Sequence, residues 1–151
     1  MKVMAFNGSP RKKKWNTITL LKNALKGAAS VGAETELIQL YDLNFSGCIS
    51  CFSCKRISRK KDGICAVQND LTFVLDRVKN TDALIIGTPV YYGAESASTR
   101  ALLERLCFPD YDKYESERFD KEAKAKRHAE VFPEDCKHAF ELGVRMATGQ
   151  I

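Results

Sequence analysis

Four of the six cysteines of this 151-residue chain are crowded between positions 48 and 65. Three of them form the run Cys48-Ile-Ser-Cys51-Phe-Ser-Cys54, and Cys65 follows after ten residues. Two consecutive two-residue spacings bring three thiolates around one point, and a fourth from a loop can complete a tetrahedral or cubane ligand set. An iron–sulfur cluster is the favoured interpretation. Free or redox-exchanging thiols and a zinc site are the alternatives, and zinc is the weaker because four-cysteine zinc sites usually come as two separated pairs.

A second group of residues with chemical potential follows the first apolar run, Val3–Phe6. The turn Gly8-Ser9-Pro10-Arg11 continues into three lysines, and Asn16 and Thr17 can then cap a helix. Gly8 permits backbone conformations closed to other residues, and the proline stiffens the turn. Because free N–H groups and the helix dipole favour negative charge, a strand, a hydroxyl-bearing turn and a helix N-terminus together predict an anion site.

A third group lies in the loop Thr88-Pro-Val-Tyr-Tyr-Gly93, which follows the apolar run Ala83–Gly87. In open α/β sheets, ligands bind at the carboxyl ends of the strands, so this loop and the Gly8 turn are expected to lie at one edge. The two tyrosines and the glycine suit the edge and face of a planar ring. The alternative for Tyr91 and Tyr92 is packing in the core.

Apolar periodicity places these groups on an α/β framework. Strands are expected at Val3–Phe6, Glu34–Tyr41 and Ala83–Gly87, the last as a buried strand, and helices at 16–29, 70–78, 98–106 and 133–146. Gly32 is expected to end the first helix, and Asn69 or Asp70 to cap the second. The order strand–helix–strand is the unit of a parallel sheet with right-handed crossovers. We expect one domain over residues 1–151, with a cysteine-rich insertion at about 43–68. Open sheets usually have more than three strands, but the sequence shows no further strand after Pro109.

Composition limits the function classes. The content of 44% hydrophobic and 28% charged residues is typical of a globular protein, and no apolar run reaches the length of a membrane span. The short apolar run at the N-terminus ends in a turn and is not a signal segment, so we expect a cytoplasmic protein. The net charge of +5 comes largely from loop clusters without interleaved aromatics, which favours a small phosphorylated ligand over nucleic acid. Cys107 and Cys136 are expected to be buried apolar groups, and His128 and His138 surface residues.

Taken together, the Gly8–Arg11 turn with Asn16-Thr17, the Cys48–Cys54 run and the Thr88–Gly93 loop resemble the flavodoxin-like NAD(P)H-dependent FMN reductases, and most closely their iron–sulfur flavoprotein branch. This resemblance implies a doubly wound parallel sheet between two layers of helices, with a cysteine-bearing loop after the second strand. It further implies two strands that this chain lacks, which indicates a segment missing near Tyr114-Glu115. Members of this family associate, so a homodimer or homotetramer is expected.

The resemblance also assigns ligands to the three groups of residues. It implies that the FMN phosphate is bound by Ser9, Arg11, Asn16 and Thr17. The isoalloxazine ring would be bordered by Pro89, Val90, Tyr91, Tyr92 and Gly93. A [4Fe–4S] cluster would be held by Cys48, Cys51, Cys54 and Cys65. The ten-residue gap before Cys65 is longer than the compact spacing usual in the family.

The leading hypothesis is therefore an electron-transfer flavoprotein with FMN and a [4Fe–4S] cluster. NAD(P)H or a ferredoxin-like protein would supply electrons, and a small molecule or a protein would accept them. No side chain stands out as a catalytic acid or base, and hydride transfer to flavin requires none. The alternative is an NAD(P)H-dependent FMN or quinone reductase without a cluster. A four-cysteine zinc protein that binds nucleic acid is the third hypothesis.

Overall fold

A computed structural model describes residues 1–55, 64–109 and 121–147 of the chain. The chain divides into two compact units, Met1–Asp112 and Lys113–Ile151. The expected gap near Tyr114-Glu115 lies outside the described residues. The single domain over residues 1–151 stays a prediction.

The first unit is organised around a three-stranded parallel sheet. Its strands are β1 (Lys2–Asn7), β2 (Glu34–Gln39) and β3 (Ala83–Gly87), in the order β2-β1-β3. In the register of the sheet, Phe6 of the central strand lies between Ile38 and Ile86. Met4, Ala5 and Phe6 are fully buried, as the continuous apolar run of β1 predicts for a strand covered on both faces.

Helices cover both faces of the sheet. They are α1 (Asn16–Ser30), α2 (Asp70–Val78) and α3 (Ala97–Cys107). Leu21 and Leu25 of α1 pack against the β1 face that carries Val3 and Ala5. The opposite face, with Met4 and Phe6, is covered from α2 and α3 by Leu71, Val74, Leu75 and Leu102. Each fully buried side chain of this size contributes about 1.5–3 kcal/mol. The predicted three-layer α/β architecture is confirmed.

The helix ends explain where the loops begin. Gly32 has φ +87°, a left-handed conformation that ends α1 as predicted. Asn69 caps α2, because its Oδ1 accepts from the Leu71 N–H at 3.2 Å and its own N–H donates to Thr72 Oγ1 at 3.0 Å. The expected capping by Asn16 and Thr17 is wrong: α1 begins at Asn16, and no side chain caps it. Its first N–H groups are therefore left for another acceptor.

The third strand differs from its prediction as a buried strand. Leu84 and Ile86 are 38% and 37% exposed, although they lie on the same face as Met4 and Phe6. Within the described residues β3 has a single neighbour, β1, so it is an edge strand whose outer part lacks cover. After β3 the chain forms a short hairpin of β4 (Val90–Tyr91) and β5 (Ala94–Glu95), where the sequence predicted a loop.

The second unit contains one long helix, α4 (Lys121–Ala147). The sequence predicted this helix from Pro133, a residue favoured in first turns, whereas the structure places Pro133 inside it. His128 and His138 are exposed, as predicted. Cys136 is also exposed, and so is Cys107 in the first unit, so the expectation that both are buried is wrong. Among the helices described here, none is both apolar and long enough to cross a membrane.

Candidate functional site

A pocket of about 300 Å³ lies at the carboxyl ends of β1 and β3. It is lined by Ser9, Arg11, Trp15, Asn16, Thr17, Pro89 and Tyr91. Six of these seven belong to the nine residues that the sequence assigned to phosphate and ring binding. The other three, Val90, Tyr92 and Gly93, are in the adjoining hairpin and do not line the pocket. The fold thus brings the Gly8 turn and the Thr88–Gly93 loop to one edge of the sheet.

Buried hydrogen bonds hold the turn after β1 in shape. Asn7 is fully buried, and its Oδ1 accepts from the Ser9 N–H at 3.1 Å. Its Nδ2 donates to Gln39 Oε1 of β2 at 2.6 Å. Ser9 Oγ in turn accepts from the Arg11 N–H at 3.2 Å. That bond uses a lone pair of the hydroxyl and leaves its hydrogen available to donate to an anion in the pocket.

Close approach to β3 and α3 requires the glycine of the turn. The Gly8 N–H donates to the Gly87 carbonyl at 2.7 Å, and Ser96 Oγ donates to the Gly8 carbonyl at 2.6 Å. A Cβ at Gly8 would lie 1.8 Å from Thr99 Oγ1. The sequence pointed to backbone freedom as the reason for this glycine, whereas the structure shows that there is no space for a larger residue at position 8.

The cations after the turn have different surroundings. The Arg11 guanidinium lies 3.8 Å from the centre of the Trp15 ring, a cation–π contact at the pocket. Lys12 is ion-paired with Asp42. Lys13 is exposed and does not line the pocket. Of these three cations, Arg11 is the one that can serve a ligand bound there.

Hydrogen bonds of hydroxyl groups join the hairpin that follows β3 to α3 and to the turn after β1. Thr88 Oγ1 accepts from the Ser96 N–H at 3.0 Å. Tyr92 and Gly93 have φ values of +50° and +79°, as a two-residue type I′ hairpin turn requires. Tyr91 and Tyr92 are both exposed, the latter completely, so the alternative that they pack in the core is wrong. The hairpin presents its aromatic side chains outwards beside the pocket.

The four clustered cysteines line a second pocket. Cys65 is buried, Cys54 is partly buried, and Cys48 and Cys51 are exposed. In the ranges that the structure describes, no three Cys, His, Asp or Glu side chains meet at metal-binding distances. The donor set suits iron–sulfur or zinc chemistry, and its four cysteines line one pocket without converging on one point.

Electrostatics and backbone geometry also connect the cysteines. Burial raises the pKa of the Cys54 thiol; Lys55 opposes this effect, while Cys65 and Cys51 add to it. Cys54 is therefore close enough to both sulfurs to sense their charge. The Ser50 N–H donates to Cys48 Sγ at 3.4 Å, and Ser50 has φ +54°.

Sequence reasoning missed several residues that shape the two pockets. Around the first pocket these are the polar residues Asn7, Gln39, Ser96 and Thr99, of which all but Gln39 are buried. Beside the cysteines it missed Arg105, which is buried and lines their pocket. The available signal was positional: Arg105 lies three residues after Leu102, on the apolar face of α3.

Curated proteins are similar to more than half of this chain. The chain is 39% identical over 105 residues to an iron–sulfur flavoprotein of Methanocaldococcus jannaschii, with 70% of this chain and 51% of that protein covered. It is 34% identical to an iron–sulfur flavoprotein of Archaeoglobus fulgidus, with 70% and 48% covered. The chain thus spans about half the length of these curated relatives.

Solved structures agree with the fold. A flavone reductase superimposes with a TM-score of 0.55 at 22% identity, covering 83% of this chain and 36% of that one. RosB, solved with a bound 8-demethyl-8-formylriboflavin-5'-phosphate intermediate, also gives 0.55, at 19% identity, covering 70% and 42%. These neighbours support the flavodoxin-like α/β fold. The sequence model of the NADPH-dependent FMN reductases matches residues 1–127. The chain therefore belongs to the NADPH-dependent FMN reductase family.

Proposed function

We propose that this protein is an FMN-binding oxidoreductase that takes electrons from NAD(P)H or a ferredoxin-like protein. The observation that carries the proposal is the pocket at the carboxyl ends of β1 and β3, which is lined by six of the residues that the resemblance assigned to FMN. The relatives named as iron–sulfur flavoproteins and the flavin-bound neighbour support the same cofactor.

The phosphate of FMN would bind at the turn after β1. Ser9 offers its hydroxyl hydrogen, and Arg11 offers a charge-assisted donor that Trp15 helps to orient. Asn16 and Thr17 open the uncapped first turn of α1, whose free N–H groups attract a dianion. The buried bonds of Asn7 hold this arrangement before the ligand arrives.

The isoalloxazine ring would lie along the hairpin that follows β3. Pro89 and Tyr91 line the pocket, and Val90, Tyr92 and Gly93 extend its rim. Val90 and Tyr92 are highly exposed apolar groups beside a ligand site, which suits contact with a second subunit. A homodimer or homotetramer would cover them.

The cysteine pocket would hold a [4Fe–4S] cluster through Cys48, Cys51, Cys54 and Cys65. A cluster exchanges single electrons, whereas flavin also accepts a hydride, so the two together would couple a two-electron donor to one-electron acceptors. A chain with six cysteines, four of them crowded into one loop, suits metal or redox chemistry in a reducing cytoplasm.

A reductase without a cluster is the second candidate function. It is favoured by one observation: within the described part of the chain, no three potential ligands converge at metal-binding distances. It would reduce FMN or a quinone with NAD(P)H. Membership of the flavin reductase family argues against the zinc and nucleic-acid hypothesis.

One sample distinguishes these functions. The protein is purified anaerobically, and its visible spectrum is recorded with flavin, iron and acid-labile sulfide counts. We expect flavin bands above a broad absorption, with about four irons and four sulfides per chain. Flavin without iron would favour the second function, and a colourless protein that fails to bind added FMN would overturn the proposal.

A further inference from the structure

The cysteine pocket contains a buried positive charge. Arg105 of α3 is 1% exposed, the largest fully buried side chain of the described residues, and it lines the pocket with all four cysteines. A buried guanidinium stays charged, and burying an uncompensated charge costs several kcal/mol. Such a position therefore requires an explanation.

The hydrogen bonds of Arg105 do not neutralise it. Its Nη1 donates to Asn69 Oδ1 at 2.8 Å and to the Ser46 carbonyl at 3.4 Å, and its Nη2 donates to the Val67 carbonyl at 2.6 Å. These acceptors are all neutral. The Nε atom is buried and has no hydrogen-bond partner.

The nearest acidic side chain on the helix is directed elsewhere. Glu104 lines the same pocket, but its Oε2 accepts from the Cys48 N–H at 3.0 Å and its Oε1 pairs with exposed Arg100 at 3.4 Å. Across the described ranges, Arg105 forms no ion pair with a carboxylate. Among the described residues that line this pocket, the remaining candidates for its counter-charge are the cysteine sulfurs.

We propose that Arg105 is the internal counter-charge of the anionic sulfur ligand set, an inference that rests on the proposed cluster. Four thiolates around a [4Fe–4S]²⁺ core carry a net charge of −2. One electron, supplied in the test by dithionite, takes the core to the 1+ state and the whole set to −3, with no bond broken and no proton moved. A fixed cation beside the sulfurs stabilises the more negative state and so raises the reduction potential.

A purely structural role is the competing explanation. Arg105 ties α3 to the backbone on both sides of the cysteine segment, at Ser46 and at Val67. That role accounts for the two Nη groups. It accounts neither for the unpartnered Nε nor for the choice of a permanent charge over a neutral amide.

The test measures the cluster's midpoint potential in anaerobic holoprotein by dithionite titration, followed by electron paramagnetic resonance. We compare wild type with Arg105→Gln, Arg105→Lys and the control Arg100→Gln. Arg105→Gln should make reduction about tenfold less favourable, a decrease of about 59 mV for one electron. Arg105→Lys keeps the charge but loses the planar donors, and should stay within about twofold of wild type. Arg100→Gln should change nothing, because Arg100 is largely exposed and its charge is screened.

Flavin content and far-ultraviolet circular dichroism show which variants are folded. Wild-type potential in a folded Arg105→Gln variant would leave Arg105 a structural brace and overturn the inference alone. If that variant does not fold, a tenfold loss in Arg105→Lys would overturn it, and an unchanged potential would support it. Wild-type protein without iron overturns the proposed cluster and this inference together, so the two failures are distinguishable.

Discussion

The two pockets of this protein are built in opposite ways. The pocket at the sheet edge rests on buried, hydrogen-bonded polar side chains, namely Asn7, Ser9, Ser96 and Thr99. The cysteine pocket is lined by two exposed thiols, and the regular structure described between Ser46 and Val67 is one short 3₁₀ turn, Ser53–Lys55. One site is fixed by the fold, and the other depends on a loop.

This difference follows from what each ligand supplies. A phosphate offers only charge and hydrogen-bond acceptors, so the protein must orient donors towards it in advance. A metal cluster forms strong bonds to its ligands and can draw a loop around itself, so metal binding also orders the site. We therefore expect the first pocket to exist without ligand and the second to close when its ligand binds.

The largest effect should come from filling the space at Gly8. In Gly8→Ala, the new methyl group would clash with Thr99 Oγ1. This oxygen is buried and hydrogen-bonded to Ser96 Oγ, so it cannot move away without breaking that bond. We expect a loss of about 3 kcal/mol in the free energy of unfolding, measured by urea denaturation, and loss of FMN binding.

Gly27 provides the matched control. It lies within α1, and a Cβ there meets nothing within 4 Å. Gly27→Ala should stabilise the protein by about 0.5–1 kcal/mol, because alanine is the better helix former. If Gly8→Ala were as stable as wild type, the turn after β1 would not be held rigidly by α3. The first pocket would then be no more fixed by the fold than the cysteine pocket.

Removing the buried cysteine separates the two sites. In Cys65→Ser we expect loss of the cluster with FMN affinity within about twofold of wild type, measured as iron and flavin per chain. The serine hydroxyl in an apolar cluster should cost about 1–2 kcal/mol of stability. The control is Cys107→Ser, which replaces an exposed cysteine and should keep its iron. Joint loss of iron and FMN would show that the two pockets depend on each other.

Smaller effects should distinguish the residues of the anion site. Arg11→Ala and Ser9→Ala should each raise the FMN dissociation constant about tenfold, or about 1.4 kcal/mol, as measured by quenching of FMN fluorescence. Lys13→Ala should change it less than twofold, since Lys13 does not line the pocket. Equal effects for all three variants would mean that the loop acts only as a diffuse positive patch.

The fold could be predicted largely because its signals are local. The apolar run of β1, the glycine at the end of α1 and the cap at Asn69 each act within a few residues, and the structure agrees with all three. The exposure of Leu84 and Ile86 could not be predicted in this way. It depends on what lies beside β3 rather than on the sequence of β3.

The site was less predictable, since several of its residues act at long range. Ser96 bonds to Gly8 across 88 positions, and Arg105 reaches Ser46 across 59. Neither residue type is distinctive by itself, and each acquires its meaning from burial. The residues of the turn were identifiable because a strand, a glycine turn and a helix start follow one another directly in the chain.

The smallest predicted effect concerns the titration of the cysteine loop. Burial raises the pKa of Cys54 above that of an ordinary thiol, so in iron-free protein its iodoacetamide alkylation should reach half its maximal rate at a higher pH than in a cysteine peptide. Because the folded state binds this proton more tightly, the proton stabilises the folded protein fully at pH values below the unfolded-state pKa of the thiol. This stabilisation is lost as the pH rises through the folded-state pKa.

Peptide mass mapping follows the alkylation of Cys54 alone. Because the charges of Cys65 and Cys51 add to the shift, Cys51→Ser should reduce it. Peptide-like titration of Cys54 would mean that the loop opens freely to water, and the contrast between the pockets would be larger than the structure indicates.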